Sequence, residues 1–386
     1  MIERRPWYHL KCPVQKYAWG SKSQDSILRK LAAVKHATLQ PEDPAAELWM
    51  GAHPSAPSII VPEDVPLNSA IAADPDYMIG NRGTLSFLFK ILHAGSPLSI
   101  QAHPDKSLAE ILHARDPANY PDGNHKPELA LCLKGMRALV GFRDFNEIHG
   151  ELERRLALQP LTNFLEANGS EVERLKHWYA AIMRARPESV ETAALALQAQ
   201  IKTANSVEQC FLDLSRQYGL RDPGIFAPFF LNLMEFAPGE GIFLGPNEPH
   251  SYLGGEILEC MAASDNVVRA GLTPKFCDVD TLLSMLTYRM GLHKTVLEAN
   301  GTYAVPVDDF LLKRVSSPME HSGHPAILIV IKGLVEIRDQ VEHSKKSAEG
   351  LVEGDVVFLP VKSTVVLQPS AGTEAFLCQT AGTFLP

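Results

Sequence analysis

A short segment at residues 98–103 (LSIQAH) alternates apolar with polar side chains, as a strand with one polar face does. Ser99, Gln101 and His103 then share one face, and the apolar run at residues 87–92 indicates that the strand belongs to a core. We expect the polar face to line a cavity. A glutamine and a histidine two residues apart there are possible ligands of a divalent metal. The alternative is a half-buried edge strand with a hydrogen-bonded histidine.

Two further residues can complete a ligand set with Gln101 and His103. Glu128 opens an apolar strand, where a carboxylate is costly to bury unless a partner such as a metal compensates it. His250 follows a turn rich in proline and leads into another predicted strand. Two imidazoles, one carboxylate and one amide oxygen suit Zn²⁺ and leave room for water or substrate oxygens.

Length and composition are typical of a globular protein with two or three domains. The chain has 386 residues, of which 45% are hydrophobic and 21% charged, and no apolar run approaches the length of a membrane span. A net charge of -9 disfavours nucleic acid as a partner, because no basic surplus exists to neutralise phosphates. No apolar segment follows the basic residues near the N-terminus, so we expect a cytoplasmic protein.

The cysteines are scattered along the chain, without a C-x-x-C pair. This spacing argues against a disulfide framework and against a thiolate zinc site. The six residues are Cys12, Cys132, Cys210, Cys260, Cys277 and Cys378.

Between residue 146 and about residue 218, apolar residues recur at helical spacing, and residues 170–173 have a capping-box pattern. Short strand-like segments separated by turn residues lie on both sides. The pattern predicts a mainly β protein with a helical insertion. The predicted domains are a discontinuous β domain at residues 1–145 and 227–305, a helical insertion at residues 146–226, and a jelly-roll-like β domain at residues 306–386.

Three histidines of the last predicted domain lie in polar, loop-like sequence. We therefore expect them to be solvent-exposed and not bound to a metal. They are His321, His324 and His343.

Five motifs of this chain resemble those of type I mannose-6-phosphate isomerases. They follow the same order from residue 15 to about residue 288, and the helical insertion and C-terminal β unit match the family's architecture. The motifs are QKYAWGS (15–21), AELWMGAHP (46–54), SIQAHPDK (99–106), NHKPE (124–128) and ECMAASDNVVRAG (259–271).

The resemblance implies cupin-like β domains and the interconversion of mannose 6-phosphate and fructose 6-phosphate. The product would supply mannose metabolism and GDP-mannose synthesis. The resemblance also implies one Zn²⁺ per chain, and it places Arg269 in the active site. The implied zinc ligands are Gln101, His103, Glu128 and His250.

Such an isomerisation needs a base that moves a proton between C1 and C2, and positive charge near the enediolate oxygens. Glu259 is one candidate base, since alternation places it in an apolar wall that would raise its pKa. Lys126 is the other, because it shares a face with Glu128 and its pKa would fall near a metal. Glu259 is alternatively a structural partner of Arg269 or Lys275, and Lys126 alternatively only a substrate contact.

The substrate is expected to be a small sugar phosphate, bound by a monomer or a weak homo-oligomer. Its phosphate needs cationic or hydroxyl partners, and Arg269 has a planar fork that suits either the phosphate or the enediolate oxygens. The remaining predicted substrate contacts are Ser99, Lys90, Lys275, Trp19, Tyr252 and Asp265.

Two other functions fit part of this pattern. An Fe(II) cupin-type oxygenase would use two histidines and one carboxylate, but Gln101 then occupies a position that O₂ and a cosubstrate need. A metal-bearing sugar-phosphate sensor without catalysis is the second alternative. The ionisable groups predicted around the cavity disfavour it.

Overall fold

Residues 2–80, 83–340 and 348–382 are described in this computed structural model. The strands, in chain order, are β1 (Tyr8–Lys11), β2 (Val14–Gln15), β3 (Glu47–Met50), β4 (Ile59–Val61), β5 (Val65–Pro66), β6 (Phe87–Ala94), β7 (Ile100–Ala102), β8 (Glu128–Phe142), β9 (Leu231–Glu235), β10 (Gly241–Leu244), β11 (His250–Ala262), β12 (Val268–Gly271), β13 (Thr295–Val296), β14 (Thr302–Tyr303), β15 (Leu311–Arg314), β16 (Met319–Ser322), β17 (Ala326–Lys332), β18 (Leu334–Asp339), β19 (Ala348–Val352), β20 (Val356–Leu359), β21 (Thr364–Pro369) and β22 (Glu374–Gln379).

Most of the longer helices lie between β8 and β9. The α-helices are α1 (Ile27–Leu31), α2 (Leu67–Ala73), α3 (Pro75–Met78), α4 (Lys106–Arg115), α5 (Phe145–Arg154), α6 (Gln159–Thr162), α7 (Glu171–Met183), α8 (Pro187–Gln200), α9 (Ser206–Tyr218) and α10 (Val279–Met285). A π-helical turn covers Ala32–His36, and 3₁₀ turns cover Phe164–Glu166 and Pro223–Phe229. The predicted capping box is present at the start of α7. The predicted class, mainly β with a helical insertion, is confirmed.

Three sheets form the framework. A ten-stranded sheet follows the order β13-β10-β8-β11-β6-β3-β2, with β7 joined to β11 and β12, and β9 joined to β8. An eight-stranded sheet follows the order β14-β15-β22-β17-β20-β1-β4-β5, and a four-stranded sheet the order β16-β21-β18-β19. The eight-stranded sheet packs one face on each of the other two sheets through separate apolar cores.

Alternation along β8 and β11 gives the ten-stranded sheet two distinct faces. Leu131 and Leu258 point into the apolar core shared with the eight-stranded sheet. Ala130 and Ile257 point to the opposite face. Glu259 lies directly opposite Ala130 in the β8–β11 ladder and therefore shares that second face. The ten-stranded sheet therefore has an apolar face, which packs on the eight-stranded sheet, and an opposite face that carries charged side chains. We call this second face the inner face.

The helices between β8 and β9 have their own apolar core, which includes Trp178, Phe211 and Phe226. Ile100 and Ala102 of β7 are fully buried in the same core. Because successive side chains of a strand point to opposite faces, this packing turns Gln101 away from the helices. The helical segment therefore positions one wall of the site through β7.

The N-terminal part of the chain completes a sheet that otherwise comes from residues 302–379. In that sheet, β1 pairs with β20, placing Tyr8 opposite Phe358, and it also pairs with β4. The segments at residues 1–145 and 306–386 therefore share a sheet, although the sequence assigns them to different domains. Those domain boundaries stay a prediction. Among the described residues, no helix is both long enough and apolar enough to cross a membrane.

One prediction about the C-terminal histidines is wrong. His321 lies in β16 and is only 3% exposed. It shares a strand face with Met319 and is paired with Val365 of β21, and both of these residues pack in the apolar core between the four-stranded and eight-stranded sheets. Its Nε2 lies 2.9 Å from the carbonyl oxygen of His324, to which it can donate. His324 itself is half-buried, and His343 lies outside the described residues.

Burial lowers the pKa of His321 from 6.5 to about 4, since the charged imidazolium would lose its hydration. Below pH 6.5 the unfolded chain binds a proton at this residue that the folded protein does not. The free energy of unfolding should therefore fall as the pH falls from 6.5 toward 4. His321→Gln should reduce this loss by about 2 kcal/mol between pH 7 and pH 5.

Thermal unfolding of both proteins at the two pH values checks this expectation. The amide of glutamine can keep the donated hydrogen bond, so the variant should fold. His177→Gln, at an exposed position of α7, is the control and should leave the pH dependence unchanged. An equal loss in the His321 variant and the wild type would contradict the prediction.

Candidate active site and metal centre

His103, Glu128 and His250 converge on the inner face of the ten-stranded sheet, and all three are buried. The Nε2 atom of His103 lies 3.2 Å from one carboxylate oxygen of Glu128, and that of His250 lies 3.7 Å from the other. Neither Nε2 atom has a hydrogen-bond partner. A buried polar nitrogen without a partner is costly, and a metal ion between these atoms would remove that cost.

The backbone fixes which imidazole nitrogen faces the cluster. The Nδ1 of His103 lies 2.8 Å from the carbonyl oxygen of Asn266, and that of His250 lies 3.1 Å from the carbonyl oxygen of Glu248. A carbonyl only accepts, so both Nδ1 atoms carry the hydrogen and both Nε2 atoms offer a lone pair. The loop before β11 is also tied to β7, because the N–H of Asn247 donates to the carbonyl of His103.

Gln101 lies beside this cluster in the sheet. It is directly opposite His250 in the β7–β11 pair and directly opposite Arg269 in the β7–β12 pair. Directly paired residues of antiparallel strands present their side chains on the same face. The structure thus brings together the four predicted metal ligands and Arg269 on neighbouring strands.

The charge state of the cluster at neutral pH suits a metal. Burial lowers the pKa of His103, and it lowers that of His250 to about 4, so both imidazoles are neutral. Burial alone would raise the pKa of Glu128, but the charged surroundings of the carboxylate, above all the ammonium of Lys126, outweigh burial and hold that pKa well below its usual range. Two neutral imidazoles and an ionised carboxylate are the forms that ligate divalent ions.

Glu128 also has two polar neighbours that are predicted site residues. The ammonium of Lys126 lies 3.2 Å from a carboxylate oxygen of Glu128. The hydroxyl of Tyr252 donates to the other oxygen over 3.4 Å, and the Tyr252 side chain is fully buried. Tyr252 therefore contacts the ligand set itself, whereas Lys126 is half-buried at its edge.

A second buried charge cluster lies next to the first. Lys90 of β6 is directly opposite Glu259 of β11, and their charged atoms are 3.0 Å apart. The same ammonium is 3.4 Å from a carboxylate oxygen of Glu47, which also accepts from the indole N–H of Trp49. The Lys90 ammonium thus forms ion pairs with two carboxylates. The partner of Glu259 is Lys90 rather than Arg269 or Lys275.

Burial shifts the two members of this pair in different ways. Burial would lower the pKa of Lys90, but Glu259 and Glu47 outweigh it and raise the pKa. Burial raises the pKa of the Glu259 carboxyl, against the opposing effect of Lys90. A lysine that stays protonated therefore holds a carboxylate of increased basicity beside the metal cluster.

Two cations without a carboxylate partner lie at the edge of the site. Arg269 is half-buried and Lys275 is exposed, and neither forms an ion pair with any described residue. The ammonium of Lys275 lies 5.7 Å from the ring centroid of Tyr17, whose ring is in turn 5.7 Å from that of Trp19. Burial and then the charge of Arg269 lower the pKa of Lys275.

For the remaining predicted substrate contacts, the structure gives no hydrogen bond or ion pair to His103, Glu128 or His250. Ser99 is half-buried just before β7, and Trp19 is half-buried against an apolar core. Asp265 is exposed, with a carboxylate oxygen 3.4 Å from the Nε2 of His53. His53 is buried, and its ring meets that of Trp49 edge to face, with centroids 5.0 Å apart.

Sequence reasoning missed Glu47 and His53 as members of this region. Both lie in the motif at residues 46–54, but a single strand does not show which side chains meet across the sheet. The pairing of β3 with β6 is what brings this motif to Lys90. The alternation of Glu47 with Trp49 was the available signal.

The fold and the buried cluster define a mainly β protein with a site that could hold a divalent metal, and known proteins make the class specific. Residues 7–145 match the family model described as "Phosphomannose isomerase type I, catalytic domain". The chain is 36% identical to mannose-6-phosphate isomerase 1 of Arabidopsis thaliana, over 97% of this chain and 94% of that protein. It is 36% identical to the Rattus norvegicus mannose-6-phosphate isomerase, over 94% of this chain and 95% of that protein.

Solved structures agree over the whole length. A mannose 6-phosphate isomerase bound with zinc and yttrium has a TM-score of 0.85 and 33% identity, covering 97% of this chain and 100% of that one. The apo enzyme of Salmonella typhimurium has a TM-score of 0.85 and 32% identity, covering 98% and 100%. This chain belongs to the type I mannose-6-phosphate isomerase family, as the sequence motifs predict.

Replacing either imidazole of the cluster should remove a bound divalent metal. His103→Ala and His250→Ala each delete one of the two Nε2 ligands, and the methyl group of alanine supplies no lone pair in its place. Elemental analysis of the purified variants after dialysis against zinc measures the result. His321→Gln, which alters a buried histidine far along the chain, is the control and should keep the metal content of the wild type. Full metal content in both alanine variants would contradict the assignment.

Proposed function

We propose that this chain is a zinc-dependent aldose–ketose isomerase that interconverts mannose 6-phosphate and fructose 6-phosphate through an enediolate. The observation that carries the proposal is the pair of partnerless imidazole nitrogens that converge on the buried Glu128. Family membership and the zinc of a structural neighbour support it. The proposed setting is the cytoplasm, where the product would supply mannose metabolism and GDP-mannose synthesis.

The proposed zinc ligands are Gln101, His103, Glu128 and His250. When bound, the ion supplies positive charge that polarises the carbonyl and hydroxyl oxygens at C1 and C2 of the sugar. The chain prepares the site before any ion arrives, because the carbonyls of Asn266 and Glu248 fix the tautomers of both imidazoles. One Zn²⁺ per chain is expected.

Glu259 is the proposed base for the proton at C1 and C2. Its carboxylate is buried on the metal-facing side of β11, and burial raises its pKa toward the range in which a carboxylate removes a carbon-bound proton efficiently. Lys90 acts as a positioning residue that holds this carboxylate. Lys126 is the alternative base, since its side-chain nitrogen lies at the edge of the ligand set and would accept the proton as the neutral amine.

Arg269 and Lys275 are the proposed partners of the developing enediolate and the phosphate. Arg269 is directly opposite the proposed ligand Gln101 in the β7–β12 pair, whereas Lys275 lies in the loop beyond β12. We assign Arg269 to the transition state, and Lys275 with Ser99 to the phosphate. Lys90, expected from the sequence to contact substrate, forms ion pairs with Glu47 and Glu259, and we assign it to holding Glu259 rather than to the phosphate. Trp19, Tyr252 and Asp265 stay proposed substrate contacts.

A coupled assay on the purified, zinc-loaded protein tests the whole proposal. Formation of fructose 6-phosphate from mannose 6-phosphate, lost when a chelator removes the metal and restored by zinc, is the expected result. Tight binding of the sugar phosphate without turnover would instead support the sensor. Oxygen consumption with iron but no isomerisation with zinc would support the oxygenase.

Glu259→Gln should lower kcat by roughly 10² to 10⁴-fold, because the amide keeps the size of the side chain but cannot accept the proton. Exchange of the substrate hydrogen at C1 and C2 with solvent deuterium should stop as well. Both are measured on zinc-loaded protein, with metal content as the control for folding. Lys126→Met is the matched comparison. Loss of exchange in the Lys126 variant but not in the Glu259 variant would reverse the assignment of the base.

Arg269→Lys should lower kcat by roughly 10² to 10³-fold with little change in KM, since a lysine cannot reproduce the planar pair of donors. Steady-state kinetics with mannose 6-phosphate measure both constants. Arg184→Lys, which alters an exposed arginine at the end of α7, is the control. A raised KM with normal kcat would show that Arg269 binds only the phosphate.

A further inference from the structure

The half-buried carboxylate of Asp222 joins the helical segment to the loop that carries Lys275. Asp222 stands at the start of the 3₁₀ turn Pro223–Phe229. One of its carboxylate oxygens accepts from the backbone N–H of Gly224 over 2.7 Å. The other accepts from the backbone N–H of Leu272 over 2.8 Å, fifty positions further along the chain. Asp222 forms no ion pair with a described residue, so both oxygens serve the backbone.

The backbone conformation of Leu272 is strained and needs stabilising contacts. It follows β12 directly and has a φ of 55°, in the left-handed region that a leucine rarely adopts. Its side chain is only 1% exposed and belongs to the apolar core of the helical segment. Burial of the side chain and the bond from the N–H to Asp222 therefore maintain the turn together.

The two backbones meet at a pair of glycines. A Cβ atom on Gly271 would lie 2.9 Å from a carboxylate oxygen of Asp222 and 3.0 Å from the backbone nitrogen of Gly224. A Cβ on Gly224 would lie 2.9 Å from the same carboxylate and 2.9 Å from the Leu272 side chain. The contact leaves no space for side chains, so the helical segment fixes the direction in which the chain leaves β12.

The contact acts on Lys275 more than on Arg269. Arg269 is held independently, because it pairs with Gln101 in the sheet and its carbonyl accepts from the N–H of Asp278 over 3.1 Å. Lys275 lies three residues beyond Leu272 and is exposed, with a ring contact to Tyr17. The turn at Leu272 therefore helps to fix the position of the Lys275 side chain.

We propose that Asp222 is a positioning residue, by which the helical segment holds the loop at residues 272–277 so that Lys275 can bind the substrate phosphate. The inference rests on the proposed function, because it takes Lys275 as a phosphate contact. It gives the helical segment a direct part in substrate affinity, distinct from the chemistry at the metal.

Asp222→Asn separates the two hydrogen bonds of the carboxylate. The amide oxygen can still accept from one backbone N–H, but the NH₂ group opposes the other, so the link between the two segments is weakened at similar side-chain size. On zinc-loaded protein we expect KM for mannose 6-phosphate to rise about 10-fold, with kcat within about 3-fold of the wild type. Asp144→Asn, at the cap of α5, is the control and should leave both constants unchanged.

A double-mutant cycle tests whether Asp222 acts through Lys275. Lys275→Met should raise KM at least as much as Asp222→Asn, and the double variant should be no worse than Lys275→Met alone, because the anchor has nothing left to position. Additive effects would overturn the inference. A normal KM for Asp222→Asn, with a raised KM for Lys275→Met, would overturn it while leaving the phosphate assignment intact. A normal KM for Lys275→Met would overturn that assignment and the inference with it.

Hydrogen exchange gives a second readout that does not depend on activity. The amide of Leu272 should exchange faster in Asp222→Asn than in the wild type or in Asp144→Asn. Unchanged exchange would contradict the proposal that Asp222 holds the Leu272 turn. If Asp222→Asn does not fold, Gly271→Ala tests the same contact, since its methyl group would displace the carboxylate. A normal KM and unchanged exchange in that variant would overturn the inference.

Discussion

Burial of ionised groups inside a β-sheet is the constraint on which the rest of this structure depends. Glu128, Glu259 and Lys90 are each at most 5% exposed, and an isolated charge in such a place would cost several kcal/mol. Each is compensated by a partner of opposite sign or by a hydrogen-bond donor. The two histidine nitrogens facing Glu128 have no hydrogen-bond partner, and a divalent ion could lie between them and the carboxylate.

The two faces of the sheet have different roles: one packs in an apolar core, and the other carries the charged side chains of the site. One face of β8 and β11 packs on the eight-stranded sheet, and these apolar contacts favour a single register of both strands. A shift by one residue would bury Glu128 and Glu259 in that core and expose leucines on the site face, so the register is strongly specified. The position of the charged atoms is therefore a consequence of packing on the opposite side.

The sequence predicts the parts of this site that lie within one strand, but it does not predict the contacts between strands. Alternation and family motifs predict that Gln101 and His103 share one face of a strand. They give no information that Lys90 lies opposite Glu259, because that pairing depends on the register of β6 with β11. The prediction that His321 is exposed is wrong for the same reason, since its strand packs on a second sheet. Polar sequence around a residue does not report what another strand places over it.

The cations of the site differ in what remains available to a ligand. Lys90 is the most buried, but two carboxylates already balance its charge. Arg269 and Lys275 have no carboxylate partner among the described residues, in a chain whose net charge is -9. Positive charge left uncompensated in an acidic protein attracts an anion locally, against the field of the whole molecule. The distribution of ion pairs, more than the number of basic residues, therefore indicates where a phosphate would bind.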